Sequence, residues 1–149
     1  KPSHKSIGTN SRMSELDCSH LLVRTKYLDQ WQERRKEIVR MYNTAFDGTN
    51  VESLIHATVV NDHACHKYVI VVDDRDELQT NLTDDGVDCR IHYDKPLHEV
   101  NCFRNRGKLD MLSKASILSR KVLSLPLFPE LSNDEVEYVI ERVLYHTSH

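Results

Sequence analysis

Apolar residues in the first third of the chain recur at steps of three, four or seven positions, the spacing of one helix face. The series is Leu16, Val23, Tyr27, Trp31, Ile38, Tyr42 and Ala45. Ser14 stands before this series as a helix N-cap, and Asp47-Gly48 stands after it as a stop signal. The pattern predicts one long helix over residues 13–47, preceded by an N-terminal arm over residues 1–12.

The centre of the chain changes to short segments in which strand and helix signals alternate. Tyr68–Val72 is a β-branched run with the length of a buried strand. Asp74–Glu77 then gives a capping signal for a helix, and Gly86 stands where that helix would end. Val87–Ile91 predicts a second strand, and a polar loop over residues 92–98 leaves it.

Segments on either side of this centre complete the element pattern. Val51–Cys65 has no clean periodicity, so we expect a loop there that includes a short strand at Ala57–Val60. The apolar spacing within Leu112–Val122 predicts a helix. Leu123–Phe128 is apolar and extended, and Pro126 restricts it to an edge strand or a non-strand segment. Ser132–Glu135 has the pattern of a capping box and opens a last helix.

These elements predict one fold class. We expect a single domain over residues 1–149, in which the long helix precedes an α/β unit over residues 57–149. The architecture is α/β of the two-layer α+β type, a small sheet with helices on one side. A chain of 149 residues is long enough to bury a sizeable core.

Composition and charge indicate which classes of partner are not expected, namely nucleic acid and membranes. The formal net charge of −3 gives no electrostatic reason to expect nucleic acid. We also expect no membrane association, because no apolar run approaches the roughly 20 residues of a bilayer span and no signal peptide opens the chain. The four cysteines lack C-x-x-C spacing and are expected to be the reduced thiols of a cytoplasmic protein.

Histidines and cysteines raise two chemical alternatives, a metal site and a Cys–His nucleophile. The densest cluster is His63-Ala-Cys65-His66. A strand would send Cys65 and His66 to opposite faces, so we expect no metal ion there. Cys–His catalysis would need a third, orienting group, which residue spacing does not reveal.

Motifs in the centre and on both flanks follow one another in a characteristic order. HKYVIVVDDRDELQTNLTDDGVDCRIHYDKPLH occupies residues 66–98, GTNSRMSEL precedes it at 8–16, and LSLPLFPEL follows it at 123–131. Nearly the whole chain thus resembles the C-terminal domain of the DegT/DnrJ/StrS family of pyridoxal-phosphate-dependent nucleotide-sugar aminotransferases. The resemblance implies the fold of the small C-terminal domain of fold-type I aminotransferases.

Three loop residues receive a binding role from this resemblance. Family members place the loop that corresponds to His92, Tyr93 and His98 beside the active-site cleft, where its side chains approach the nucleotide sugar. Residue types alone favour the alternative that Tyr93 packs on the core and the histidines make local hydrogen bonds. The family's H-Y-P becomes His92-Tyr93-Asp94 here, which loosens the loop and adds a negative charge. A loop that faces a ligand is expected to contribute little to stability.

The G-x-N-x-R-M motif supplies two further residues, Asn10 and Arg12. In the family its Asn reaches across a dimer interface to the cofactor phosphate of the neighbouring subunit. An amide and a guanidinium both suit phosphate oxygens. In an isolated chain, the alternative is that both residues cap the start of the long helix.

Transamination in the family depends on a lysine that holds pyridoxal phosphate and a carboxylate that pairs with its pyridine nitrogen. In the family both belong to the large domain, and Lys5 is too close to the G-x-N-x-R-M motif to be that lysine. We therefore expect an isolated C-terminal small domain without transaminase activity or cofactor of its own. The alternatives are a non-catalytic binding or assembly module and half of a split aminotransferase that complements a separate large-domain chain.

The N-terminal half of the long helix carries more apolar surface than one domain covers. Leu21, Leu22 and Leu28 widen its apolar face. Proteins usually hide an exposed patch of this kind. We expect a homodimer in which each long helix packs against its copy.

Overall fold

Five α-helices and three strands make up the part of the chain that the computed structural model describes, residues 12–103 and 113–148. The helices are α1 (Glu15–Arg24), α2 (Leu28–Phe46), α3 (Arg75–Asp84), α4 (Ser113–Lys121) and α5 (Asn133–Thr147). The strands are β1 (Glu52–Ser53), β2 (Tyr68–Val71) and β3 (Val122–Leu125). Short 3-10 helices occupy Thr25–Tyr27, Ala57–Asp62 and Leu97–Glu99.

The predicted long N-terminal helix is present, but it consists of two helices joined by a 3-10 turn. Thr25 lies at this junction, and its hydroxyl donates to the Leu22 carbonyl at 2.9 Å. Side-chain hydrogen bonds of this local type compete with the helix ladder. Ser14 is the N-cap of α1, as predicted, since its hydroxyl accepts from the Asp17 N–H at 3.2 Å. No helix within the described ranges combines the length and the apolar composition needed to cross a bilayer.

The sheet is antiparallel, with β2 between β1 and β3. Its register pairs Tyr68 with Leu125 and Ile70 with Leu123. Because side chains alternate along a strand, these four residues share one face, where all of them are buried. Ser124 lies between two of them and therefore belongs to the opposite face.

Helices α2 and α5 pack against the buried face of the sheet. Their buried side chains are Ile38, Val39, Tyr42, Phe46, Val136, Val139 and Val143. The Tyr42 ring centre lies 4.7 Å from that of Tyr68, and the Tyr42 hydroxyl donates to the Pro126 carbonyl at 3.0 Å. This contact fixes α2 against the end of β3. The predicted class, a small sheet with packed helices and a long N-terminal helical segment, is confirmed.

The predicted strand at Val87–Ile91 is wrong, because its first residue completes the end of α3. Gly86 has a φ of +81°, and the Val87 N–H donates to a carbonyl of the last turn of α3 at 2.8 Å. This is a Schellman ending, which confirms Gly86 as the residue that terminates the helix. Of the predicted strand, Arg90 alone pairs with β3, in an isolated bridge with Ser124.

The predicted strand at Ala57–Val60 is also wrong, since these residues form a 3-10 helix. His56 precedes that helix, and its Nδ1 accepts from the Thr58 N–H at 3.4 Å. A side-chain cap of this kind favours a helical turn over an extended segment.

Of the two capping patterns in which a glutamate stands three positions after the cap, Asp74–Glu77 and Ser132–Glu135, only the one before α5 forms. The Ser132 hydroxyl accepts from the Glu135 N–H at 3.3 Å, and the Glu135 carboxylate accepts from the Ser132 N–H at 2.8 Å. Asp74 precedes α3, but its side chain makes no capping hydrogen bond.

The C-terminal elements otherwise follow the prediction. Helix α4 lies within the predicted segment Leu112–Val122, of which residue 112 falls outside the described residues. Strand β3 ends at Leu125, directly before Pro126, where a missing N–H would interrupt the ladder.

Candidate functional site

A cavity of about 600 Å³ lies between the end of β3, the N-terminal half of α5 and the segment from Gly86 to His92. Its volume falls within the range of small-molecule sites, about 300–1,000 Å³. The apolar wall includes Leu125–Phe128, Leu131 and Val139. Basic and acidic side chains share the rest of the lining.

His92 is the predicted substrate-binding residue that lines this cavity. It is half-buried, and its Nδ1 lies 2.9 Å from the Ser124 hydroxyl oxygen. That contact holds the ring against β3 and leaves Nε2 as the nitrogen available to a ligand. Burial lowers the pKa of His92 below its usual value, and the positive charges of Lys67, His66 and Arg90 lower it further. Both effects favour the neutral imidazole over the imidazolium.

Sequence reasoning missed two basic residues that line the same cavity, Lys67 and Arg90. Lys67 directly precedes β2, and its ammonium lies 3.1 Å from His66 Nε2. The Arg90 guanidinium contacts both carboxylate oxygens of Asp88, at 2.9 and 3.2 Å. Arg90 stands two positions before His92, a spacing that puts alternate residues of extended chain on one side. No sequence signal pointed to Lys67, because only the fold brings it beside His92.

The other two loop residues do not join His92 in the cavity lining. Tyr93 is 68% exposed, and its ring lies edge-on to His92 at 5.5 Å. His98 Nε2 lies 3.0 Å from the Ser116 hydroxyl oxygen, and that hydroxyl donates to Glu99 at 2.6 Å. His98 thus connects the Leu97–Glu99 turn to α4, in the kind of local hydrogen bond that residue types alone had favoured.

The contact between His98, Ser116 and Glu99 does not have the geometry of a catalytic triad. In a triad the carboxylate holds the ring nitrogen that faces away from the serine. Here the Glu99 carboxylate contacts the serine hydroxyl directly and lies 3.7 Å from the same ring nitrogen, Nε2. The hydrogen bonds of this cluster hold the Leu97–Glu99 turn against α4 and do not form a triad.

The two residues predicted at the cofactor phosphate are placed only in part. Arg12 lies before α1 with an exposed side chain. Asn10 falls outside the described residues.

The cluster around Cys65 is held by local hydrogen bonds. The His63 ring Nδ1 accepts from the Cys65 N–H at 2.9 Å, while His66 is exposed. Within the described ranges, no group of three His, Cys, Asp or Glu side chains could hold a metal ion. Burial raises the pKa of the Cys65 thiol and also that of Cys89, which disfavours the thiolate that nucleophilic catalysis requires.

Comparison with known proteins identifies the family that has this fold and the loop over residues 92–98. The model of the DegT/DnrJ/EryC1/StrS aminotransferase family matches residues 1–144. The chain belongs to this family. The assignment agrees with the resemblance carried by residues 8–16, 66–98 and 123–131.

Individual relatives in the DegT/DnrJ/EryC1/StrS family are about a third identical to the chain over the residues that align with it. The pleiotropic regulatory protein of Geobacillus stearothermophilus is 32% identical over 143 residues, which are 94% of this chain and 38% of the relative. The dTDP-3-amino-3,4,6-trideoxy-alpha-D-glucose transaminase of Streptomyces venezuelae is 31% identical over 144 residues, 96% of this chain and 38% of the relative. The structure of S. venezuelae DesV superposes with a TM-score of 0.85 at 29% identity, over 100% of this chain and 40% of DesV. The chain thus spans about 38% of the length of the curated relatives it matches.

The family is pyridoxal-phosphate-dependent, but the residues around the cavity do not fit that cofactor. The cofactor needs a lysine for the Schiff base and a carboxylate for the pyridine nitrogen. The ammonium of Lys67 lies against His66. Of the three acidic residues in the lining, Asp88 and Glu135 are already bonded, to Arg90 and to Ser132 respectively, and Asp134 lies in the first turn of α5. The cavity is better suited to a ligand that meets cations on one side and apolar surface on another.

Proposed function

We propose that this chain supplies the substrate-binding, C-terminal part of a pyridoxal-phosphate-dependent sugar aminotransferase. The observation that carries the proposal is the position of His92, which Ser124 holds at the wall of a cavity of about 600 Å³. Family membership supplies the reaction class, since the S. venezuelae relative is a transaminase of a dTDP-sugar. In this assignment His92, Tyr93 and His98 approach the nucleotide sugar, with His92 in direct contact, and Asn10 and Arg12 approach the cofactor phosphate of a neighbouring subunit.

The 149 residues alone are expected to be inactive in transamination. The cavity that contains His92 does not fit the cofactor, so the lysine and the carboxylate of the reaction must come from a large domain. That domain is either joined to this one or supplied as a separate chain. The residues described here would bind and orient the nucleotide sugar. The large domain would hold pyridoxal phosphate, which withdraws electrons from the substrate when the cofactor is bound.

The exposed apolar surface of α1 supports both a large-domain partner and a homodimer. None of the residues of α1 is buried, although the helix contains Leu16, Leu21, Leu22 and Val23. A helix with this composition is expected to be covered by another protein surface. All four cysteines are free, which supports a cytoplasmic site of action.

Two measurements on the purified chain test the proposal. Incubation with pyridoxal phosphate, reduction with borohydride and mass spectrometry should reveal no stoichiometric lysine adduct. Mixing the chain with a polypeptide that contains the remaining, large-domain part of the S. venezuelae relative should produce transamination of a dTDP-sugar that neither piece catalyses alone. A stoichiometric adduct on one lysine, with turnover by the chain alone, would refute the proposal that this chain binds the substrate while a large domain holds the cofactor.

A second candidate function is a non-catalytic binding or assembly module. The G. stearothermophilus relative is a pleiotropic regulatory protein, which favours this alternative. A module of this kind would bind a ligand or partner but would not restore turnover to any large domain. Ligand binding without complementation in the mixing experiment would support it.

A further inference from the structure

The segment that joins β3 to α5, residues 126–132, forms one wall of the cavity. Pro126, Leu127, Phe128 and Leu131 of this segment are in the lining. Every residue of the segment is described, and none of them belongs to a helix or a strand. The backbone ladders that fix those elements therefore do not fix the wall, and its place depends on contacts with neighbouring elements.

Helix α2 holds this segment at both ends. At the start, the Tyr42 hydroxyl donates to the Pro126 carbonyl at 3.0 Å. At the end, a terminal nitrogen of the Arg34 guanidinium, Nη2, donates to the Leu131 carbonyl at 2.6 Å. The same nitrogen donates to the side-chain oxygen of Asn133, the first residue of α5, at 2.9 Å. Arg34 therefore connects α2 to the cavity wall and to the helix that follows it.

The chemistry of Arg34 suits it to this contact. Its guanidinium is planar and carries donors in fixed directions. One of them, Nη1, donates to Glu37 at 3.1 Å, one turn further along α2, so the group is oriented from its own helix. The dipole of α5 favours anions rather than cations at its N-terminal end, so the charge of Arg34 does not stabilise that helix end. Arg34 contributes instead the hydrogen bonds to Leu131 and Asn133.

We propose that Arg34 is a positioning residue for the cavity, because it holds Leu131 and, through Leu131, the aromatic ring of Phe128 in place. The described residues that line the cavity do not include Arg34, so it acts through the Leu131 carbonyl and not by contact with a ligand. The Leu131 N–H donates to the Phe128 carbonyl at 3.2 Å, which links the held residue to a ring that is 44% exposed. The inference rests on the proposed function for the reaction that the cavity serves.

Arg40→Met provides a matched control on the same helix. The Arg40 guanidinium donates to the side-chain oxygen of Asn61 at 2.7 Å. Asn61 belongs to the 3-10 helix Ala57–Asp62, which lies outside the cavity lining. Arg34→Met and Arg40→Met each remove an arginine bond between α2 and another segment, but only Arg34→Met releases the cavity wall. A general loss of stability should appear in both variants.

Nuclear magnetic resonance of the purified chain tests the position of the wall directly. The resonances of Leu127, Phe128 and Leu131 report on it. In Arg34→Met we expect these wall resonances to shift and the Leu131 amide to exchange with solvent about tenfold faster, the change expected for loss of one charge-assisted hydrogen bond. Arg34→Lys keeps one donor and should show a smaller change. Arg40→Met should leave the wall resonances unchanged. Circular dichroism shows whether each variant has folded, and Arg34→Lys carries the test if Arg34→Met has not.

Kinetics of the mixture with the large-domain polypeptide test the consequence for the site. Arg34→Met should raise the KM for the dTDP-sugar about tenfold and leave kcat within about twofold, because the wall meets the substrate while the reacting groups belong to the large domain. Arg34→Lys should recover part of the lost affinity. Arg40→Met should leave both constants at their parent values.

The outcomes separate this inference from the proposed function. Wall resonances that are unchanged in Arg34→Met, or that change equally in Arg40→Met, would overturn the inference. An active mixture in which Arg34→Met has the parent KM would also overturn it, while the proposed function stands. A mixture that is inactive with the parent chain would overturn the proposed function, and the comparison of wall resonances would then decide the role of Arg34 by itself.

Discussion

Arg75 shows how one residue can hold two elements together. Its side chain is 7% exposed, and its guanidinium donates to the carbonyls of Ser119 at 3.3 Å and Val122 at 3.1 Å. These carbonyls belong to the end of α4 and the start of β3. Carbonyls in a last helical turn lack intrahelical donors, so a buried arginine replaces the water that would otherwise satisfy them.

Replacing Arg75 by Met should therefore destabilise the chain far more than an exposed arginine would. The substitution keeps the apolar stem but leaves two carbonyls without their donor, at a cost of about 2–4 kcal/mol in the free energy of unfolding. Arg120→Met is the control, since Arg120 is exposed at the end of α4 and should stay within about 0.5 kcal/mol. Denaturant melts that show equal losses for both variants would contradict this role.

His92 and Tyr93 illustrate why a loop assignment from sequence is incomplete. The sequence predicted that both residues contribute little to stability. Tyr93 is largely exposed and fits that prediction, but His92 bonds to a buried hydroxyl, that of Ser124. A strand residue 32 positions away supplies this partner, so no local pattern could reveal it.

Substitutions of His92 and of Tyr93 should therefore have different effects on the free energy of unfolding in denaturant melts. Tyr93→Phe should change the free energy of unfolding by less than about 0.5 kcal/mol. His92→Ala should lower it by about 1–3 kcal/mol, because the Ser124 hydroxyl would remain buried without a partner. In the double variant His92→Ala with Ser124→Ala, part of the loss should be recovered. An equally small effect of both single variants would show that water replaces His92 freely.

At the scale of elements, local signals identified α2, β2 and α5 because each is specified by its own residues. The failed prediction at Val87–Ile91 has a different origin. Val87 and Ile91 at the ends of this segment suggested a strand, but the Val87 N–H is already bonded in the Schellman ending of α3. The cavity is a product of three separate elements, and Lys67 in its lining carried no signal in the sequence. Periodicity therefore predicts elements well and their junctions poorly.

The two predicted capping signals give a matched pair for testing helix ends. Ser132→Ala should lower the free energy of unfolding by about 1 kcal/mol, because Ser132 and Glu135 satisfy each other's backbone N–H groups. Asp74→Ala should change it by less than about 0.5 kcal/mol, because the Asp74 side chain makes no capping hydrogen bond. Thermal or urea unfolding of both variants decides the comparison. A larger loss for Asp74→Ala would show that this carboxylate does stabilise α3 in solution.

At the scale of the whole molecule, the two ends of the N-terminal helical segment differ in their surroundings. Helix α2 buries Ile38, Val39, Tyr42 and Phe46 against the sheet and α5. Helix α1 buries none of its residues. Leu21, Leu22 and Leu28 remain 44%, 70% and 50% exposed. One half of the segment is thus part of the core, and the other half exposes apolar side chains.

We expect this surface to make the isolated chain dimerise at micromolar concentration. Burial of about 600 Å² of apolar area would stabilise a dimer by about 15 kcal/mol, against association costs of about 4–15 kcal/mol. A two-fold contact between α1 helices buries the same patch on both copies. Light scattering should report the dimer, and Leu22→Glu should convert it to a monomer because a carboxylate cannot be buried there without a partner. Leu97→Glu is the control, since Leu97 is 74% exposed but lies in a separate turn after the His92 loop. A parent chain that stays monomeric at micromolar concentration, or a dimer that Leu22→Glu leaves intact, would mean that α1 awaits a different partner, such as the large domain.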